Sequence, residues 1–253
     1  MFIDVHCHLN LLDDIEGALV RARDKGVGCI VTQGVNTTSN RLALDHSAEY
    51  KEVKAALGLY PSDLEKMPDK SIDKEIEFIR ENKDKIAAVG EVGLDLKEAH
   101  DFEKQRRAFN DIIALAVEID KPIIVHSRKA ELECMEMLEK GKAKKVVMHC
   151  FSGKLTLVKR IIENKWYLSI PGSILKSEHF QQLVRMTPIE HLLCETDSPY
   201  LHPEKEFPNE PCNVIVSYEM IAKIKGLKLK DVEKQIEGNY KRLFQTSHSN
   251  VTL

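Results

Sequence analysis

Short apolar runs alternate with longer amphipathic stretches from one end of the chain to the other. The runs are 2–6 (FIDVH), 28–34 (GCIVTQG), 53–59 (VKAALGL), 86–92 (IAAVGEV), 122–126 (PIIVH), 145–150 (KVVMHC), 166–170 (WYLSI) and 191–195 (HLLCE). Most are rich in Val and Ile and read as strands. Between them, 13–25, 38–50, 72–83, 103–120, 130–140 and 154–163 have helical spacing. Ala108, Ile112, Ile113, Leu115, Ala116 and Ile119 mark one apolar face at i, i+4, i+7. Strands that alternate with helices pair in parallel through right-handed crossovers. Eight such units in about 250 residues predict a closed α/β (β/α)8 TIM barrel.

An open doubly wound sheet competes with the barrel, and the polar residues decide between them. Asp, Glu and His fall at the C-terminal ends of strands far apart in sequence, and a closed ring makes those ends converge. No glycine-rich phosphate loop follows the first run. With no repeat, low-complexity tract or linker, residues 1–253 read as a single domain. The stretch 213–245 reads as helices with Lys-rich solvent faces, and the closing SHSNVTL is expected to fray.

Composition changes the picture in three places. The net charge of −3 provides no global positive field for a polyanion. A nucleic-acid substrate would therefore be held locally, by metals and a few basic side chains, and a coating protein for DNA or RNA is disfavoured. The six cysteines (Cys7, Cys29, Cys134, Cys150, Cys194 and Cys212) are scattered without a C-x-x-C pair, which predicts free thiols in a reducing cytoplasm. No stretch approaches the ~20 apolar residues of a membrane span, so a soluble protein without membrane contact is expected.

Five strand ends carry candidate chemistry. In the first, Asp4, His6 and His8 share one face, while Val5 and Cys7 take the other. Alone, an H-x-H pair is weak evidence, and surface or core-satisfied histidines are its default reading. Glu91 follows IAAV, His126 ends PIIV, His149 follows VVM, and Glu195 and Asp197 follow LLC. Buried acids and histidines need partners, and their repetition at five strand ends points to metal. Four imidazoles with two carboxylates exceed one tetrahedral site. They suit two divalent cations, Mg2+, Mn2+ or Zn2+, roughly 3.5–4 Å apart and able to activate water.

The motifs DVHCHL, GEVGLD, PIIVHSR, HCFSG and ETDSPYL, with PNEPCNV and NYKRLF behind them, span residues 4–244. In that order the chain resembles the TatD family of metal-dependent deoxyribonucleases, among the amidohydrolase-like barrels. The resemblance implies a two-metal phosphodiesterase acting on DNA, often as an exonuclease from the 3′ end. It also implies that His6, His8, Glu91 and Asp197 bind one metal. Glu91 would bridge to a second, completed by His126 and His149. Many related amidohydrolases use a carboxylated lysine as the bridge; Glu91 in its place supports the TatD branch. Asp4 is then an outer partner, and Glu195 could hold a neighbouring water or an additional metal.

Two departures from the family pattern stand out. The usual G-x-H-P is here Gly58-Leu59-Tyr60-Pro61, so Tyr60 replaces a histidine thought to contact the substrate phosphate or assist the leaving group. The usual R-G-K-R-N-E-P loop is here 202–211, HPEKEFPNEP, with most of the positive charge gone and an acidic run at 204–206. The catalytic residues expected are Asp197, which would orient the attacking water and accept its proton, and Glu91. Arg128 is the candidate phosphate clamp, or equally a surface arginine capping a nearby helix or loop, and Tyr60 is a further expected substrate contact. The rival is a metal-dependent ester or amide hydrolase, such as a D-aminoacyl-tRNA deacylase. A monomer is the default. Trp166 and the Met135–Leu138 stretch read as packing, and Lys142, Lys144 and Lys145 as a solvated loop.

Overall fold

The computed structural model describes residues 1–204 and 207–245, so the closing heptad and Lys205 and Glu206 of the acidic run lie outside the described residues. Eight strands, β1 (Phe2–Cys7), β2 (Val27–Gln33), β3 (Val53–Leu57), β4 (Ile86–Gly93), β5 (Ile123–His126), β6 (Val146–Met148), β7 (Tyr167–Pro171) and β8 (Leu192–Glu195), form one sheet in sequence order. Every neighbouring pair is parallel. The strands are almost wholly buried, which explains their continuous apolar runs: barrel interior covers one face and the helices cover the other.

Among the described residues ten α-helices surround this sheet: α1 (Ile15–Asp24), α2 (Thr37–Glu49), α3 (Pro61–Glu65), α4 (Asp69–Glu81), α5 (Phe102–Glu118), α6 (Glu131–Lys140), α7 (Val158–Glu163), α8 (Glu178–Met186), α9 (Val214–Lys225) and α10 (Leu229–Phe244). Side-chain caps set the starts of α1, α2, α5 and α8. Asp14, Asn36, Asp101 and Ser177 each accept a hydrogen bond from the backbone amide three residues on. On α5 the predicted face is buried from Ala108 to Ala116, while Ile119, at the C-cap, is half-buried. Truncating one of its isoleucines to Ala would cost about 2–5 kcal/mol. α3 and α8 lie outside the segments with helical spacing, although Phe180, Leu183 and Val184 give α8 a short buried stripe. The other expected elements appear with shifts of a few residues at their ends.

The seam between β1 and β8 is closed by three devices. Beyond the strand ends, the Asp197 amide donates to the His6 carbonyl (2.9 Å) and the His8 amide to that of Ser198 (2.7 Å). Between these, the Asp4 carboxylate accepts from the Thr196 amide (2.9 Å) and hydroxyl (2.6 Å). Nearer the strand starts, the backbone groups are met from outside. The Tyr218 hydroxyl on α9 accepts from the Ile3 amide (3.0 Å) and donates to its carbonyl (3.1 Å). Asn239 on α10 donates to the Leu192 carbonyl (2.8 Å). The last two helices thus satisfy buried backbone groups that would otherwise be orphaned. Trp166 is buried, with its indole N–H on the Ala143 carbonyl (3.0 Å).

Candidate metal centre

The barrel gathers His6, His8, Glu91, His126, His149, Glu195 and Asp197 at the C-terminal ends of β1, β4, β5, β6 and β8. Glu91 stands in the middle. Its Oε2 lies 3.6 Å from His6 Nε2 and 3.5 Å from His8 Nε2. Its Oε1 lies 3.0 Å from His126 Nδ1 and 3.7 Å from His149 Nε2. One carboxylate therefore turns each oxygen to a different pair of imidazoles. Asp197 Oδ1 sits 3.4 Å from both His6 Nε2 and His8 Nε2. Asp197 holds this place from a left-handed backbone conformation (φ 57°), a local cost that the surrounding hydrogen bonds must offset.

Outer partners set which nitrogen each ring presents. Glu195 takes His149 Nδ1 at 2.7 Å, so Nε2 is the nitrogen turned to Glu91. Asp95 takes His126 Nε2 at 3.0 Å, which leaves Nδ1 for Glu91. Carboxylates behind imidazoles in this way fix ring orientation and raise basicity. The other Glu195 bonds go to the Cys150 amide (2.9 Å) and the Ser169 hydroxyl. Glu195 thus serves His149 from behind, although it is close enough to His6 and His149 to form a third group of donors. Asp4 also lies behind the cluster, accepting from the His6 amide (3.2 Å) as well as from Thr196. His6 stacks on His149 (3.6 Å between centroids), and its Nδ1 is buried without a hydrogen-bond partner among the described residues.

The electrostatics follow from this crowding. Burial disfavours the charged form of His126, yet its hydrogen bonds to Asp95 and Glu91 outweigh that and raise its pKa to about 9. Burial likewise opposes ionisation of Glu91, but His126 and His6 hold it well below the usual carboxylate range. Asp197 is held low in the same way by His6 and His8. His6 Nε2 and His8 Nε2 face one another at 3.3 Å, and both face carboxylate oxygens. So many lone pairs in a buried space fit divalent cations. Two groups, His6–His8–Asp197 and Glu91–His126–His149, could each hold an ion, and such donors accept zinc or manganese as well as magnesium.

The two expected substrate contacts differ in placement. The Tyr60 hydroxyl adjoins the cluster, 3.3 Å from Asp95 Oδ2 and 3.4 Å from His126 Nε2. Arg128 is partly exposed and paired with Glu98 at 2.6 Å, so its guanidinium is engaged by an acid on the β4–α5 connection. Asp95 carries a task that sequence reasoning did not assign. Its signal was already inside GEVGLD, four residues beyond Glu91. The roles of Asp95 and Glu195 depend on which ring each faces, and that is set by the barrel rather than by spacing.

The chain is similar to known proteins along nearly its whole length. The family model for TatD related DNase matches residues 3–245. An uncharacterised metal-dependent hydrolase of Methanocaldococcus jannaschii is 35% identical over 247 residues, covering 96% of this chain and 97% of that protein. Deoxyribonuclease TATDN3 of Homo sapiens is 32% identical, covering 96% and 94%. Among solved structures, YjjV, a TatD homologue from Escherichia coli K12, superposes with a TM-score of 0.89 at 29% identity, covering 97% of this chain and 98% of that one. On these grounds, and with its barrel and its ring of histidines and acids, the chain belongs to the TatD related DNase family of metal-dependent hydrolases.

Proposed function

We propose that this hydrolase cleaves phosphodiester bonds of DNA from the 3′ end, with two divalent cations held between His6, His8, Glu91, His126, His149 and Asp197. The observation that carries the reading is the division of Glu91, one oxygen to His6 and His8 and the other to His126 and His149. When bound, paired cations lower the pKa of water and neutralise charge on the phosphoryl oxygens. The protein groups supply the rest. Asp197 orients the attacking water and accepts its proton on a carboxylate oxygen, kept ionised by His6 and His8 despite burial. Glu91 holds the two halves of the site in register. Arg128 exchanges Glu98 for a substrate phosphate, which costs little because both partners are exposed. Tyr60 donates to the leaving oxygen. Every proposed ligand comes from one chain, so a monomer suffices, and free thiols suit the cytoplasm. Among the described residues no helix is long and apolar enough to cross a membrane.

Tyr60 in place of the family's histidine, and Glu98 on Arg128, favour a second reading: an ester or amide hydrolase, such as one that deacylates D-aminoacyl-tRNA. One experiment separates the two. Chelator-stripped protein, re-supplied with magnesium, manganese or zinc, is given end-labelled single-stranded DNA, with Asp197→Asn as the control. Metal-dependent shortening from the 3′ end that the control lacks supports the nuclease. No cleavage by protein that binds two ions per chain moves the assignment to aminoacyl esters or amides, to be assayed in parallel.

A further inference from the structure

The chain has 15 aromatic side chains of Phe, Tyr and Trp (Phe 8, Tyr 6, Trp 1). All but two are buried or half-buried; the exceptions are Tyr200, 50% exposed, and Phe207, 74% exposed. Both lie on the connection between β8 and α9, the segment that also carries Asp197. Exposing a large ring to water forgoes the burial that the other thirteen obtain, so the concentration of both on the connection that carries Asp197 calls for a ligand with a flat apolar face.

Tyr200 is held at the metal cluster rather than trailing into solvent. Its amide donates to the Asp197 carbonyl (2.8 Å), and its own carbonyl accepts from Asn209 Nδ2 (2.7 Å). The same Asn209 amide group reaches the Thr196 carbonyl (2.9 Å), and its Oδ1 accepts from Asn213 Nδ2 (2.9 Å). Arg21 on α1 clamps the next residue, Glu210, through two bonds of 2.7 and 2.8 Å. Thus a buried asparagine and a bidentate ion pair hold the loop in place, and they leave the Tyr200 ring beside the ring of His8, 6.3 Å between centroids. An exposed ring on a tethered backbone, next to a candidate metal ligand, is preorganised for stacking.

We infer that Tyr200 is the stacking platform for the nucleobase next to the scissile phosphate, with Phe207 offering a second ring on the same loop. This deepens the nuclease reading and rests on it. Stacking answers the charge problem posed by the sequence. With a net charge of −3 and Arg128 the one basic side chain assigned to a phosphate, backbone contacts alone provide limited hold on a strand. Base–aromatic stacking is worth about 1–3 kcal/mol per base, needs no charge, and tolerates any sequence. It also selects unpaired ends, because a base within a duplex has both faces covered.

The test compares wild type, Tyr200→Ala, Tyr200→Leu and Tyr200→Phe, all metal-loaded, on two oligonucleotides. One ends in 2-aminopurine nucleotides at its 3′ terminus; the other has abasic residues there. Tyr200→Ala and Tyr200→Leu should raise KM on the first by roughly 5–150-fold, with a much smaller change in kcat. On the abasic end that penalty should largely vanish. Binding should quench 2-aminopurine fluorescence in wild type and Tyr200→Phe but not in the other two. The same KM penalty on both oligonucleotides, or equal quenching in all four proteins, overturns the platform while wild-type cleavage leaves the nuclease standing. A wild type that cleaves neither oligonucleotide overturns both.

Discussion

Glu195 binds Nδ1 of His149 at 2.7 Å, with both side chains buried. The imidazole can then offer only Nε2 toward Glu91. Glu195→Gln keeps the shape but turns an N–H group toward one of the donors now served, His149, Ser169 or the Cys150 amide. Loss of such an outer partner typically weakens metal affinity 10–100-fold. A drop of about that size is expected in competition against a chromophoric chelator. Affinity within twofold of wild type would remove Glu195 from this role.

As a proposed metal ligand, His126 should make metal binding pH-dependent. Its pKa is lifted from 6.5 to about 9, so near neutrality the metal-free ring is protonated between Asp95 and Glu91. A cation on Nδ1 must displace that proton. Binding should therefore release protons, and apparent affinity should climb with pH until about 9. The stability of the metal-free protein runs the opposite way. A raised histidine pKa contributes stability that is whole below 6.5 and lost as pH rises through about 9. Calorimetric titration in buffers of different ionisation heat reads the first effect, and thermal melts with chelator the second. A pH-independent affinity between 6.5 and 9 would contradict the assignment of Nδ1.

Asp4 belongs to the barrel rather than to the chemistry. Its buried carboxylate serves the Thr196 amide and hydroxyl and the His6 amide, across the seam where β1 and β8 share no ladder. Asp4→Ala would orphan these donors, each at about 1–3 kcal/mol. A loss of about 3 kcal/mol or more is expected in urea unfolding of the metal-free protein. A loss below about 1 kcal/mol would mean that water or a shifted Thr196 takes the place of the carboxylate.

Much of this was legible in the sequence because parallel barrel strands announce themselves twice. A run such as PIIVH is apolar throughout, and its polar residue falls at the end that opens onto the site. Glu91, His126 and His149 could be picked out in that way, and His6 and His8 by their alternation. What could not be read was pairing across distance. Arg128 meets Glu98 thirty residues away, and Asn239 reaches Leu192 across forty-seven. α8 is short, and its stripe of Phe180, Leu183 and Val184 covers too few turns to stand out from a loop.

Tyr60 is one of the two departures from the family pattern that the motifs resemble. Burial, with Glu91 and Asp95 nearby, pushes its phenol pKa up, so it remains a neutral donor through the neutral range. A histidine there would stand beside Asp95, which favours the imidazolium. Hydrogen bonds from a cation to phosphate are roughly twice as strong as neutral ones. Tyr60→His should therefore raise kcat/KM on oligonucleotides severalfold and add a decline at alkaline pH that wild type lacks. Tyr60→Phe, which keeps the ring and loses the donor, should fall below wild type. On a neutral ester substrate the histidine variant should gain nothing, because no phosphoryl charge is present to be neutralised. Equal gains on both substrates would show that position 60 acts through Asp95 and the metal rather than on the phosphate.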